Sequence, residues 1–138
     1  MALYILKLTV PPNTPESEPI EQKLVVEGKL LEKIEYRFPM GCFEGVKVQV
    51  LYGNRRISPK GKYKWVDGEN EKVVDPVEWP LPARKCTLTI RAYSECEFFD
   101  HTITLRFVVR PYITPTWADK LSWMFRGVLE RLRLLTGV

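Results

Sequence analysis

The chain has a single histidine, three cysteines and few amides, with asparagine and glutamine confined to Asn13, Asn54, Asn70, Gln22 and Gln49. Each scarcity removes a class of protein. Cys42, Cys86 and Cys96 show no paired spacing, and an odd number leaves at least one thiol unpaired in a monomer, so a disulfide framework is not expected. A zinc site needs four ligands, and three scattered cysteines with His101 do not supply them at metal-ligand spacing, so no metal and no cofactor are expected. No window approaches the roughly 18 apolar residues that span a bilayer. The opening MALYILKLTV is interrupted by Lys7, lacks a small-residue cleavage site and runs into Pro11-Pro12, so it does not read as a signal peptide. A soluble or peripheral protein, on a virion or in the cytoplasm, is the expectation. The shortage of amides beside abundant Lys, Glu, Arg and Pro suggests a thermophile source.

What is present is enough for one packed domain: 138 residues, 45% hydrophobic, with 21 basic and 17 acidic residues. The net charge of +4 divides evenly, with +2 on residues 1–110 and +2 on residues 111–138, and does not demand a nucleic-acid partner.

The clearest patterning lies in Cys86–Arg110. Leu88, Ile90 and Ala92 share one face of a first run, and His101, Ile103, Leu105, Phe107 and Val109 share one face of a second, with polar residues opposite. The pair is expected to form a β-hairpin whose dry face, including Leu88, Ile90, Ile103, Leu105 and Phe107, is covered by the earlier strands. Residues 2–10 read as a strand that pairs with the main sheet or reaches a neighbouring molecule. It is followed by PPNTPESEP, a stiff exposed arm. Ile20–Glu27 and Lys29–Phe38 are two strands, or one bent strand, split by Gly28. Val46–Tyr52 and Arg55–Ile57 form a hairpin about Gly53-Asn54, Lys62–Val66 a short strand, and Lys72–Val77 a strand that Pro76 confines to an edge or an end. Regular turn signals with no helical stretch before residue 115 define a mainly β fold, an antiparallel β-sandwich of jelly-roll-like or Ig-like kind. Its parts are an N-terminal strand and Pro-rich arm (1–19), a sandwich domain (20–110), and a linker with a C-terminal amphipathic helix (111–138).

That helix, Trp117–Thr136, places Trp117, Leu121, Met124, Phe125, Val128, Leu129, Leu132 and Leu135 on one arc and its charges opposite. Trp123 and Leu134 fall inside the polar arc, so the helix has apolar groups to bury on two sides. It packs on its own sandwich, inserts into a partner, or lies on a membrane surface. Insertion is favoured, with Trp117, Leu121, Trp123, Met124, Val128, Leu132 and Leu134 as the partner-binding residues. Asp119 and Glu130 weaken the basic face that a membrane would need.

Three clusters invite chemistry. Asp100-His101 with Cys42 or Cys96 supplies the residue types of a Cys-dependent enzyme, but His101 shares the parity of Ile103 and Leu105 and belongs to a core face, so no catalytic residue is assigned. Asp67, Glu69 and Glu71 alternate around a turn without the EF-hand spacing and read as a solvated hairpin tip. Arg55, Arg56, Lys60, Lys62 and Lys64, interleaved with Tyr63 and Trp65, have the composition of a surface that tracks phosphates and stacks bases. The acidic DGENE that follows neutralises the run, so a peripheral module holding nucleic acid or carbohydrate through Arg55, Arg56, Lys60, Lys62, Lys64 and Trp65 is the second reading.

FPMGCFEGVKVQVLYGNRRISP, WVDGENEKVV and TLTIRAYSECEFFDHTITLRFVV together resemble small β-sandwich proteins encoded by prokaryotic viruses. In that pattern a Phe-Pro-x-Gly-Cys turn leads a Gly-turned hairpin, and an Ala-Tyr turn precedes an Asp-His-Thr strand. The resemblance covers about residues 38–108. It implies a structural virion protein, a capsid decoration or minor capsid component, and transfers no functional residues. The first reading is therefore a non-enzymatic assembly protein that associates with itself and with other structural proteins through its N-terminal strand and arm and its C-terminal helix.

Overall fold

A computed structural model describes residues 2–112. The predicted C-terminal helix, with Trp117, Leu121, Trp123, Met124, Val128, Leu132 and Leu134, lies outside the described residues. Among the described residues nine strands form in chain order: β1 (Ala2–Val10), β2 (Ile20–Glu27), β3 (Leu30–Phe38), β4 (Val46–Tyr52), β5 (Arg55–Ser58), β6 (Glu71–Asp75), β7 (Trp79–Pro80), β8 (Lys85–Ser94) and β9 (His101–Arg110). They make two antiparallel sheets, one in the order β1-β9-β3-β6 with β7 added to β3, the other in the order β2-β8-β4-β5. The partners are nested, β1 with β9, β2 with β8, β3 with β6 and β4 with β5, so a long folded ribbon is wound across both sheets.

This winding corrects the expected hairpin at residues 86–110. β8 and β9 sit in opposite sheets, each a central strand with neighbours on both sides. Their dry faces meet across the sandwich, where Leu88, Ile90, Ile103, Leu105 and Phe107 are fully buried together. The five core residues are those expected; the strand pairing is not. Alternation reports only that one face is dry, and it is the same whether two strands lie side by side or oppose one another.

The same ambiguity at residues 20–38 resolves as two strands in different sheets. Gly28 makes the crossing: a Cβ there would sit 2.4 Å from Val109 Cγ1 and 2.8 Å from the Arg110 carbonyl oxygen, so the chain can approach β9 this closely only without a side chain. The neighbouring amides are satisfied by Arg84 and Arg110 carbonyls at 3.0 and 2.8 Å.

β1 is an edge strand of its own sheet, paired with β9 along its whole length, and shows Leu3 and Ile5 on the outer face. The Pro-rich segment after it is not a free arm at its start. It crosses to the other sheet, with the Asn13 amide donating to the Cys96 carbonyl (2.8 Å) and the Ser94 amide to the Thr14 carbonyl (3.1 Å). The β4–β5 hairpin turns on Gly53 as expected. The strand expected at Lys62–Val66 reduces to one bridge between Val66 and Val48, because the loop is instead held by Gln49 Nε2 donating to the Lys64 carbonyl (2.8 Å). β6 is an edge strand ending before Pro76.

A polar strut ties the two sheets. Tyr36 of β3 donates its hydroxyl to Ser58 Oγ of β5, and Ser58 donates to Asp75 Oδ2 of β6 at 2.7 Å, an oxygen that also accepts the Lys60 amide at 3.0 Å. Burial pushes the Tyr36 phenol far above its ordinary range, so it remains a donor. Tyr36→Phe removes one bond from a buried chain and is expected to cost about 1–2 kcal/mol in denaturant unfolding. No measurable loss would mean that the strut is not closed in solution.

Candidate functional site

One end of the sandwich is closed by two connections, residues 39–45 between β3 and β4 and residues 95–100 between β8 and β9. A cleft of about 440 Å³ lies between them, lined by Cys42, Phe43, Cys96, Phe98, Phe99 and His101, among others. The first connection holds a demanding backbone. Gly41 has φ 94°, and Phe43 and Glu44 have φ 46° and 60°, a left-handed region in which side-chain-bearing residues need outside support.

Glu69 supplies that support from the DGEN turn. Its carboxylate accepts the Gly41 amide at 2.8 Å and the Phe43 amide on its other oxygen. Successive backbone N–H groups thus form a cup filled by an internal anion. These amides hold the Glu69 carboxyl below the ordinary carboxylate range, with His101 helping. The folded value is depressed, so the contribution of Glu69 to stability is present above the unfolded-chain value and is lost as the pH falls through the folded one. The Gly41 and Phe43 amide resonances are expected to titrate together with a midpoint below the ordinary Glu range, and to lose that transition in Glu69→Gln. A midpoint at the ordinary value would break the assignment.

The second connection is tied to the first by the Glu95 amide donating to the Gly45 carbonyl (2.8 Å), while a Cβ on Gly45 would meet Cys96 Sγ at 2.9 Å. Large apolar side chains then point outward. Phe43 is 81% exposed, Phe98 79%, Phe99 72%, and Met40 beside them 75%. Exposed Glu95 and Glu97 line the same cleft, exposed Glu44 and Asp100 adjoin Phe43 and Phe99 in the chain, and no lysine or arginine occurs in residues 38–46 or 94–101.

The fold therefore gathers Cys42, Cys96 and His101, residues weighed above as a nucleophile set, into one cleft. Neither thiol is hydrogen-bonded to His101. The Cys96 thiol donates to the Cys42 carbonyl at 3.6 Å, and burial, with Cys96 and Glu69 nearby, pushes the Cys42 thiol up to about 11. A thiol kept protonated at neutral pH is a poor nucleophile. Alkylation of the native protein near pH 7.5 is expected to mark Cys96, the partly exposed thiol, and to spare Cys42 until the pH nears about 11. Rapid labelling of Cys42 at neutral pH would return the catalytic reading to contention. Because the folded thiol titrates above the unfolded one, its stabilising contribution is full at neutral pH and is lost as the pH rises from the ordinary thiol range through about 11.

The other sequence candidates lie elsewhere. Asp67 pairs with Lys47 at 2.5 Å and Glu71 accepts the Glu69 amide at 3.2 Å, so the three acidic residues serve separate protein partners. Among the described residues no group of three His, Cys, Asp or Glu could hold a metal ion, and no helix is long and apolar enough to cross a membrane. The basic run is divided. Arg55, Arg56 and Lys60 border one cleft with Ile57, Val77 and Trp79, whereas Tyr63 and Trp65 line another beside Asp67 and Asp75. Trp65 stands edge-on to Tyr93 with ring centroids 4.7 Å apart, and Lys62 Nζ lies 5.4 Å from the Tyr63 ring. Lys62 and Lys64 are exposed.

Met40, Phe43, Phe98 and Phe99 escaped the sequence reading. A signal was present: two adjacent phenylalanines occupy a connection where turn formers are the usual choice. No protein-family model, curated protein or solved structure matches the chain.

Proposed function

We propose that the protein is a non-enzymatic assembly module, a structural component of a virus particle that associates with copies of itself and with other structural proteins. The observation that carries this reading is the end of the sandwich. That end offers a protonated, buried thiol where an enzyme needs an activated group, and instead displays Met40, Phe43, Phe98 and Phe99 to solvent beside a loop whose Gly41 and Phe43 amides are held by Glu69. Apolar groups held out on a fixed backbone are what a protein partner uses. The nested strand order supports the virion reading, because it is the jelly-roll winding that recurs in capsid domains.

The C-terminal segment is the complementary assembly element, on the strength of its amphipathic pattern and of the continuous core that residues 2–112 form between the two sheets. Removing residues 113–138 is expected to leave the β-sheet circular dichroism and a cooperative unfolding transition intact while abolishing association. If the truncated chain assembles as the full chain does, the segment is not the connector.

A further inference from the structure

The assembly reading leaves open what receives the C-terminal segment. Two apolar surfaces among the described residues are candidates, and they differ in position and in charge. The nearer is the outer corner of β1 and β9, where Leu3 lies across from Val108 and Ile5 from Arg106. It is beside the point where the chain leaves the sandwich, since Arg110 pairs with Leu30 at the Gly28 end. Its surroundings are basic on balance: Lys7 follows Ile5 on the same face, Lys33 lies across from Val108, Arg37 is further along β3, and Glu35 between them lies across from Arg106 and pairs with Lys33 at 3.6 Å. The farther surface is the cleft of Phe43, Phe98 and Phe99 at the His101 end of β9. The ten residues of that strand, about 30 Å, separate it from the exit point.

Residues 113–138 carry four basic side chains, Lys120, Arg126, Arg131 and Arg133, against Asp119 and Glu130. A basic segment is disfavoured beside Lys7, Lys33 and Arg106. It is matched by Glu95 and Glu97, which line the far cleft, and by Glu44 and Asp100, which adjoin Phe43 and Phe99 in the chain. An occupant seated at the opposite end of the molecule from its own exit point is most simply supplied by another copy.

We propose that the acidic, phenylalanine-lined cleft is the receptor for the C-terminal segment of a second copy of this chain. Apolar side chains of the segment, Trp117, Leu121 and Trp123 among them, cover Phe43, Phe98 and Phe99, and its arginines meet the carboxylates there. The inference rests on the assembly reading and gives it a direction. Tail and cleft are different parts of the chain, so the contact is heterologous: each copy donates one tail and accepts another, and the series closes into a ring or continues as a filament.

Sedimentation velocity on the full-length chain and three variants tests this. Phe98→Glu disables the cleft, Trp123→Glu disables the tail, and Leu3→Glu disables the near patch. Phe98 and Leu3 are 79% and 54% exposed, so charges there leave the core untouched, and circular dichroism checks each fold. Phe98→Glu and Trp123→Glu are each expected to weaken association at least about thirtyfold, as loss of an interface anchor does. Leu3→Glu is expected to leave it unchanged. The two disabled variants, mixed in equal amounts, are expected to form a one-to-one pair, because each retains the half that the other lacks. Rising salt is expected to weaken association.

Full association by Phe98→Glu together with its loss in Trp123→Glu would overturn the receptor assignment and leave the assembly reading standing. Failure of the mixed variants to pair, or loss of association in Leu3→Glu in place of Phe98→Glu, would also overturn it. A wild-type chain that stays monomeric at every concentration would overturn both.

Discussion

Phe107→Ala is expected to lower the unfolding free energy by about 3–5 kcal/mol, the cost of removing a large buried aromatic ring from a site that cannot collapse around the gap. The site is rigid for a topological reason. Phe107 sits in β9, paired on one side with Tyr4 of β1 and on the other with Ile34 of β3, so its backbone is fixed by two ladders. Its ring is fully buried in the layer where β9 faces β8. Neither neighbour can move inward without breaking sheet hydrogen bonds, and the space left by the ring stays largely empty. Urea titration with an unchanged m-value and a lowered midpoint is the expected record. A loss below about 1 kcal/mol would mean that the dry face of β9 has been assigned to the wrong residues.

Gly28→Ala is the second large effect, and it acts through the backbone. The added methyl would lie 2.4 Å from Val109 Cγ1, which a rotamer change relieves, and 2.8 Å from the Arg110 carbonyl oxygen, which it does not. That oxygen accepts the Lys29 amide at 2.8 Å, so moving it away sacrifices the bond that closes the crossing between the sheets. Overpacking of this kind costs about 1–3 kcal/mol, with larger values where backbone must shift. Alanine at Gly61, where an added Cβ meets nothing within 4 Å, is the control and is expected to be neutral within about 0.5 kcal/mol. Equal tolerance at the two positions would contradict the close approach at Gly28.

These two positions show what sequence conveys and what it withholds. Period-2 alternation in Cys86–Arg110 placed Leu88, Ile90, Ile103, Leu105 and Phe107 in the core correctly, since burial is a property of one strand's own pattern. Which strands pair depends on residues far apart in the chain, and alternation is silent about it. The expected hairpin failed on that point, although the connection itself held a warning. Glu-Cys-Glu-Phe-Phe-Asp contains none of the glycine or asparagine that a tight turn requires, and a six-residue connection suits an arch between sheets. The Pro-rich segment misled in another way. Four prolines in nine residues do make a stiff chain, but stiffness does not forbid tethering, and Asn13 and Thr14 supply the hydrogen bonds that the prolines cannot.

The candidate site was visible only in pieces. Cys42, Cys96 and His101 stood out by residue type, and their gathering at one end follows from the nested winding, which brings the β3–β4 and β8–β9 connections together. Residue type marks Glu69 only as one of three alternating carboxylates, Asp67, Glu69 and Glu71, and does not point to this role. Its role arises because the DGEN turn lands against three consecutive residues, Gly41 to Phe43, whose amides point the same way. The exposed phenylalanines became meaningful for a similar reason. In sequence Phe43 and Phe98-Phe99 are ordinary hydrophobic residues; in the fold they stand exposed at one end of the described residues, beside Glu95 and Glu97.

The mass of the full-length chain in solution, followed by sedimentation velocity over a wide concentration range at low salt, tests the assembly claim most directly. The account predicts species heavier than the 16.1 kDa chain, growing with concentration and falling back as salt is raised. A single 16.1 kDa species at every concentration would contradict it.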